Sequence, residues 1–362
     1  MEPTSAWRAI VEKRVLVRCI VTWASPSLQG SNGGVSKVRH LQELTVGLIL
    51  FFLAAISPAL SQQQPYPSRP VTILVPFNPG SEADILARLY AAKLSERMGH
   101  PFVVENRAGA GGVLAAQTLL NAPADGYDLM FVTSGFAINP SIYQHLSFDT
   151  SRDFSGIALV GHSPALLVTS PSLGVRTQQE FISLAKQRPG QLNYGSAGTG
   201  SASYFSCQYF ASEAKINVVN VSYKGVQEFL TDLLGDRIQL ACPPMVTVIP
   251  LVRAGKLVAL SVTSKERESL LPDVPTTSEA GLSGFEYGIW YGLVASSKTP
   301  RFIIDRLAKE MSEITNLKDI SEAMANQGVA PRDVATTDFD AFIATEIGKF
   351  RSLVKASGIN MK

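Results

Sequence analysis

The sequence has little of the chemistry on which most enzymes and metalloproteins depend. It holds four histidines and three cysteines in 362 residues, and the cysteine spacing matches no metal motif. No H-E-x-x-H, C-x-x-C or P-loop pattern occurs. The nearest approach to the G-x-S-x-G nucleophile elbow is 194–198, where Tyr194 replaces the first glycine. The absences argue against an enzyme, and we expect no catalytic residue, no metal and no cofactor.

An excess of charge of one sign is also missing. The formal net charge is +2, and charged residues make up 17% of the chain. A nearly neutral chain with scattered charges provides no electrostatic surface for nucleic acid, so no nucleic-acid partner is expected. Hydrophobic residues make up 46%, which is enough to bury a sizeable core. The length predicts two domains of roughly 100–200 residues each.

No apolar run is long enough to be a typical transmembrane helix. The longest candidate, Leu44–Ile56, spans about 13 residues, whereas a spanning helix needs roughly 20. Basic residues precede it and a small-x-small pattern ends at Ser61, so 1–61 is interpreted as an N-terminal extension followed by a signal peptide at 35–61. We expect cleavage near Ser61 and a periplasmic protein. An uncleaved membrane tether is the alternative, and 1–35 has no clear pattern.

One stretch organises the rest of the chain. Val71–Val75 is an apolar, β-rich run that predicts a buried strand, and Gly80 permits a turn after it. Ser81 can then cap a helix that reaches about Met98, with acidic residues in its first turn. Free N–H groups and a partial positive charge at such a helix start suit an anion. Four apolar residues are expected to pack this helix on the sheet: Ile85, Leu86, Leu89 and Ala92.

A second stretch repeats this design. A strand at 192–194 runs into the Gly/Ser/Thr-rich loop 195–203, and a helix follows from Ser203. A third strand, 129–133, also ends in a hydroxyl-bearing segment. These loops contain no Lys or Arg, so an anion there would be held by backbone N–H groups, hydroxyls and helix dipoles.

Strands alternate with helices along the chain, which predicts an α/β fold with mainly parallel sheets. Asn139-Pro140 is expected to open a short turn. After signal removal Cys207 and Cys242 remain. We expect two buried free thiols, although the oxidising periplasm leaves a disulfide open. The Gly109–Gly112 run is interpreted as a turn, because it does not complete a dinucleotide-binding motif.

Ordered motifs across about 65–360 resemble the Bug (Bordetella uptake gene) family, the periplasmic receptors of tripartite tricarboxylate transporters. The motifs that carry this resemblance are Tyr66-Pro-x-Arg-Pro70, Val75-Pro-Phe-Asn-Pro-Gly80, Val104-Glu-Asn-Arg107, Gly109-Ala-Gly-Gly112, Ala124-Asp-Gly-Tyr127, Leu192-Asn-Tyr194, Tyr223-Lys-Gly225, Ala254-Gly-Lys-Leu257, Leu271-Pro-Asp-Val-Pro-Thr276 and Trp290-Tyr-Gly-Leu293. The chain departs from the family pattern at four positions. One of them is Ser81, where the family usually has a glycine.

The resemblance implies a two-lobed periplasmic binding protein fold of type II, with a ligand held between the lobes. Lobe one is expected at 66–165 and 290–362, and lobe two at 166–289. The two crossover segments would fall near Ala165 and Tyr291.

The resemblance also implies the ligand-binding residues, which would hold a small carboxylate partly through ordered waters. The implied set is Phe77, Asn78, Gly80, Ser81, Asp84, Ser134, Gly135, Gly198, Thr199 and Ser203. Asp84 matches an acidic position that can face an amino or amide group of a ligand.

The expected function is therefore an extracytoplasmic solute-binding receptor. It would capture a small organic acid, possibly amino- or amide-bearing, and deliver it as a monomer to integral-membrane transporter subunits. One alternative is a ligand-binding sensor partner of a signalling system. Another is an exported hydrolase with Ser134 or Ser196 as nucleophile, but no base accompanies either serine.

Overall fold

The structure is a computed structural model that describes residues 66–356. The strands of this range are β1 (Val71–Val75), β2 (Phe102–Asn106), β3 (Asp128–Thr133), β4 (Phe154–Pro164), β5 (Leu166–Thr169), β6 (Leu192–Ser196), β7 (Val218–Ser222), β8 (Leu240–Ala241), β9 (Val258–Val262), β10 (Gly288–Ser296) and β11 (Ala330–Ala335). The α-helices are α1 (Glu82–Met98), α2 (Val113–Asn121), α3 (Gly135–Ile142), α4 (Gln178–Gln187), α5 (Ala202–Glu213), α6 (Val226–Leu234), α7 (Ile249–Arg253), α8 (Arg301–Thr315), α9 (Lys318–Asn326) and α10 (Thr336–Ala356). Within 66–356, no helix has the length and apolarity that a bilayer span requires. The expected signal peptide lies outside the described residues.

The strands form two sheets, one of six strands in the order β11-β4-β10-β3-β1-β2 and one of five in the order β7-β6-β8-β5-β9. Four strand pairs are parallel and five are antiparallel, so the sheets are mixed rather than mainly parallel. Parallel neighbours need a crossover connection. β10 instead arrives from the other sheet and inserts between β3 and β4, antiparallel to both.

The chain changes sheet twice within the described range. β4 ends at Pro164 in the six-stranded sheet and β5 begins at Leu166 in the five-stranded sheet, so the first connection is Ala165. The return runs between Val262 and Gly288. The strands of each sheet follow the expected division of the chain, except that β10 begins two residues before 290. The lobe boundaries themselves stay a prediction.

The first strand–loop–helix unit forms as its sequence predicts. Ser81 caps α1, because its side chain accepts a hydrogen bond from the Asp84 N–H, and Gly99 ends the helix in the left-handed conformation. The expected buried face was partly wrong, since Ile85 is 37% exposed and Ala92 is exposed. The inward stripe is Leu86, Ala87, Tyr90, Ala91 and Leu94, which recur at helical spacing.

The expected turn at Asn139-Pro140 is also wrong, because both residues lie inside α3. Seven of the eight α3 residues are buried, so tertiary packing outweighs the local preference of proline. The Asn139 side chain also donates to the Gly111 carbonyl at 3.2 Å.

The two remaining cysteines form a disulfide, which corrects the expectation of free thiols. Cys207 lies on α5, and Cys242 directly follows β8. The Cα atoms are 5.5 Å apart, within the range that a disulfide spans. The cysteines are 35 residues apart in sequence, so only the packing of α5 on the five-stranded sheet brings them together.

Candidate ligand-binding site

A small cavity of about 30 Å³ lies where the two strand–loop–helix units face each other. Its walls are contributed by segments of both sheets. The residues around it are Phe77, Ser81, Glu82, Ala83, Thr133, Ile289 and Tyr291 from the six-stranded side, and Ala197, Ser201, Ala202, Ser203, Val226 and Pro244 from the five-stranded side. A water molecule needs roughly 10–15 Å³ of such space. The cavity therefore has room for little more than ordered water.

Two helix N-termini meet at this cavity. Ser81 caps α1, and Ser201 caps α5 by accepting from the Tyr204 N–H at 3.2 Å. Ser203 accepts from the Ala197 N–H at 3.1 Å and so holds the second loop against its helix. None of the described lining residues is Lys or Arg. Positive potential in the cavity therefore comes from backbone N–H groups and helix dipoles, as the sequence predicted for these loops.

Glu82 is the one acidic residue in the described wall of the cavity. Its side chain is 1% exposed, and its Oε2 accepts from the Tyr291 hydroxyl and from Ser163 Oγ at 3.2 Å. Its Oε1 is buried and has no hydrogen-bond partner among residues 66–356. Burial raises the pKa of Glu82 to about 8, against the lowering effect of the two hydroxyls. From sequence Glu82 is only an acid in a first helical turn, which is an ordinary placement.

Buried hydroxyls form two hydrogen-bonded groups near the cavity, one around Glu82 and one around Tyr287. Ser163 Oγ lies 3.2 Å from the Tyr291 hydroxyl. The Tyr287 hydroxyl lies 3.1 Å from Ser134 Oγ and donates to the Ala202 carbonyl at 3.2 Å. Burial, and then the charge of Glu82, raise the pKa of Tyr291 well above its ordinary value. Burial raises the pKa of Tyr287 as well, so both tyrosines stay neutral donors over the physiological range.

Three of the ten residues implied by the resemblance line the cavity, namely Phe77, Ser81 and Ser203. Gly198 and Thr199 lie instead at a wider surface pocket beside Tyr143 and Tyr223.

Four more of the ten do not line the cavity but contact residues of the five-stranded side or lie buried beside them. Asn78 Nδ2 donates to Glu228 Oε1 of α6 at 2.7 Å, and the Gly80 carbonyl accepts from Gln227 at 3.5 Å. Ser134 is fully buried. Gly135 lies so close to the second sheet's loop that a Cβ on it would come within 2.9 Å of the Gly200 oxygen.

The remaining residue, Asp84, is held by its own neighbours. Its carboxylate accepts from the Gly80 N–H at 3.0 Å, from Asn106 at 2.9 Å and from Arg88 at 3.0 and 3.1 Å. Burial opposes ionisation, but hydrogen bonds from Arg88, Gly80 and Asn106 outweigh it and lower the pKa of Asp84. Asp84 is not among the residues that line the cavity. Its contacts stabilise the first loop.

Backbone contacts close the cleft on one side. Gly111 has φ +61°, and a Cβ on it would lie 2.4 Å from the Thr199 oxygen, so the two loops approach each other at backbone distance. The Tyr143 hydroxyl donates to the same Thr199 carbonyl at 2.8 Å. Together with the Asn78–Glu228 hydrogen bond, these contacts join the six-stranded side to the five-stranded side around the cavity.

The comparison that identifies the chain covers most of its length. Residues 86–359 match the model of the tripartite tricarboxylate transporter family receptor. The chain belongs to this receptor family. BugT of Bordetella pertussis is 31% identical over 325 residues, which are 89% of this chain and all of BugT. A relative from Agrobacterium vitis, named for the ttuE-ttuC' intergenic region, is 33% identical over 328 residues, which are 89% of this chain and 94% of the relative's length. The resemblance to the Bug family is thereby confirmed.

Solved receptors of similar sequence share the fold. Rpa4515 of R. palustris, solved with adipate, has a TM-score of 0.79 and 32% identity over 82% of this chain and all of its own. The periplasmic binding protein BugD has a TM-score of 0.79 and 29% identity with the same coverage. MatC of Rhodopseudomonas palustris, solved with bound malate, has a TM-score of 0.77 and 31% identity over 80% of this chain and all of MatC.

These likenesses confirm the type II periplasmic binding protein fold. This chain is a periplasmic solute-binding receptor, and the family and the solved structures similar to it are solute-binding proteins rather than enzymes.

Proposed function

We propose that this receptor captures a small organic acid between its two sheets and delivers it to the membrane subunits of a tripartite tricarboxylate-type transporter. The observation that carries the proposal is the convergence of two serine-capped helix N-termini on one cavity. Converging N–H groups and hydroxyls suit a carboxylate. Adipate and malate, the ligands of two R. palustris relatives, are both dicarboxylates.

We further propose that the cleft opens to admit the ligand and closes over it. The cavity of about 30 Å³ has room for two or three water molecules at roughly 10–15 Å³ each, far less than a dicarboxylate needs. The connections at Ala165 and between Val262 and Gly288 are the places where the chain passes between the sheets. Rotation about such connections is an ordinary mode of closure. The lobes would then be 66–165 with 290–362, and 166–289.

The ten residues implied by the resemblance are proposed as the ligand-contacting set in two groups. Phe77, Ser81 and Ser203 would contact the ligand in the closed cleft, because they already line the cavity. The other seven would act at the rim or in the open form. Because only the first three residues line the cavity, ligand contact has more support for them than for the other seven.

We also propose that the receptor acts as a monomer and has no catalytic activity. The two serines considered as nucleophiles have hydrogen-bond partners that are poor bases. Ser134 Oγ lies 3.1 Å from the Tyr287 hydroxyl, and Ser196 Oγ donates to Asn220 Oδ1 at 2.8 Å. A serine nucleophile needs a base within such reach.

A ligand screen tests the binding proposal directly. Protein spanning residues 62–362 would be melted with dicarboxylates, tricarboxylates, aromatic carboxylates, amino acids and amides, after unfolding and refolding to remove any ligand carried through purification. An acid at 100 times its dissociation constant adds about 2.7 kcal/mol of stability. Stabilisation by at least one carboxylate is expected. Stabilisation by none of them, or only by compounds without a carboxylate, would overturn the proposal.

The transport role needs a separate measurement in cells. Deletion of the gene is expected to abolish uptake of the acid found in the screen, and expression of the chain in the same strain should restore it. Normal uptake after deletion, together with loss of a transcriptional response to the acid, would favour the sensor alternative.

A further inference from the structure

Glu82 is placed as a ligand-contacting group, although it is not among the ten residues that the family resemblance implies. It lines the cavity beside Ser81 and Ala83, at the first position of α1. Its Oε2 is engaged by Tyr291 and Ser163, while its Oε1 is buried without a partner among the described residues. A buried polar atom without a hydrogen bond is costly, so such an atom at a binding cavity indicates a missing partner.

The surroundings of Glu82 favour its neutral form. No Lys, Arg or His of the described chain lines the cavity, so no cation compensates a buried carboxylate. The titratable group that faces Glu82 from β10 is Tyr291, and the group from β4, Ser163, does not titrate. Burial raises the pKa of Glu82 to about 8, so Glu82 is protonated in most receptor molecules at pH 7. Since the two hydroxyls occupy Oε2, the proton belongs on Oε1.

A ligand carboxylate at this place strengthens the same preference. The α1 N-terminus attracts one negative charge, and an ionised Glu82 next to a ligand carboxylate would put two like charges together in a small cavity that no cation lines. Two carboxyl groups that share one proton avoid this repulsion, as in sites where paired acids cannot both ionise.

We propose that Glu82 is a specificity-determining ligand residue that, in its neutral form, donates a hydrogen bond from Oε1 to a carboxylate of the bound acid. The proposal rests on the proposed function and deepens it, because it names the carboxylate as the recognised group and one proton as part of the complex. A ligand ammonium in the same place would instead require the ionised form.

The pH dependence of binding follows with a definite sign. Below the pKa of the free receptor Glu82 is already neutral, and affinity is independent of its titration. Above that pKa binding must first take up a proton, so the dissociation constant rises by a factor approaching ten per pH unit. Asp84 on the same helix has a lowered pKa and Tyr291 a strongly raised one, so neither titrates in this window. From pH 6.5 to pH 9 the dissociation constant should rise about tenfold.

Calorimetry with adipate and malate as probes tests the proposal at pH 6.5 and pH 9. Glu82→Gln keeps an amide donor in the same shape, so it should bind the probes within about threefold of wild type at pH 6.5 and show no rise at pH 9. Glu82→Ala should bind at least tenfold more weakly than wild type does at pH 6.5, with no further change at pH 9. Glu96→Gln is the matched control, because Glu96 is on the same helix with a side chain 71% exposed, and it should keep the wild-type profile.

A second measurement needs no variant. Titrations of wild type with the same probe in two buffers of different ionisation enthalpy report proton uptake on binding. Fractional uptake at pH 8 and none at pH 6.5 are expected. Absence of uptake at pH 8, or a Glu82→Gln profile equal to wild type, overturns the role of Glu82 while the receptor function stands. Failure of wild type to bind any carboxylate at pH 6.5 overturns the proposed function and the role of Glu82 with it.

Discussion

The two strand–loop–helix units that face the cavity are built alike but contribute different chemistry. β1 leads to Ser81 and α1, and β6 leads to Ser201 and α5, with a serine cap at each helix start. The residue after the first cap is Glu82, whereas the residue after the second is Ala202. The first unit therefore supplies a capped helix N-terminus and an acid, and the second supplies a capped helix N-terminus and hydroxyls.

The difference teaches that general attraction for an anion and selection among anions can reside in different atoms. Helix N-termini attract any small anion, because their N–H groups and dipoles are not specific for its shape. A neutral carboxyl group adds a donor that is lost on ionisation, so it ties binding to pH. Four measurements would sharpen or break this comparison.

The largest expected effect is on stability in the absence of ligand. The folded-state pKa of Glu82 is raised to about 8, so between about pH 5 and pH 8 the folded chain holds a proton that the unfolded chain has lost. The free energy of unfolding of the wild type should therefore fall as the pH rises through this window, by up to about 1.4 kcal/mol per pH unit. Denaturant melts of Glu82→Gln should show a flatter dependence. Equal slopes in the two proteins would mean that Glu82 is ionised when folded.

Asp84→Asn should lower the free energy of unfolding by roughly 1.5–3 kcal/mol at pH 7, because it removes charged hydrogen bonds to Gly80, Arg88 and Asn106. The lowered pKa makes this stabilisation complete at neutral pH and lost as the pH falls below about 4 through the folded-state value. The gap between variant and wild type should accordingly narrow in acid. Unchanged stability with weaker binding of amino acids would instead restore the expected ligand-facing role of Asp84.

Gly111→Val is expected to weaken binding of every acid at least tenfold, which corresponds to about 1.4 kcal/mol. The new side chain would meet the Thr199 backbone and hold the two loops apart, whichever unit contacts the ligand. Calorimetry with the acid from the screen measures the loss. The matched control is Gly174→Val on an open turn, where a Cβ meets nothing within 4 Å and φ is likewise positive.

Ser81→Ala and Ser201→Ala should each cost about 1 kcal/mol of stability through loss of a helix cap. Both should also weaken acid binding modestly and to a similar degree, because the two caps are equivalent in kind. Thermal melts and titrations of both variants at pH 6.5 give the comparison. A loss confined to one of them would show that the ligand carboxylate lies at a single helix.

Much of the fold could be read from local patterns. The strand at 71–75 and the serine cap of α1 follow rules that involve only neighbours in sequence. β11 was not predicted from the sequence, because it has few apolar residues and contains Pro331. The strand lies at the edge of the sheet beside β4, where a proline is tolerated. The hydroxyl-rich loops were recognised from composition, and three of the ten implied contact residues line the cavity.

The sequence by itself determined the α/β class, the serine cap of the first helix and the family to which the chain belongs, because periodicity, caps and ordered motifs are local. Only the tertiary structure decided that Cys207 and Cys242 pair, that Asp84 is occupied by its neighbours and that Glu82 is buried with one oxygen unpartnered. Pairing and protonation depend on which distant groups surround a side chain and on how much water they exclude. Neither quantity is contained in the spacing of residues along the chain.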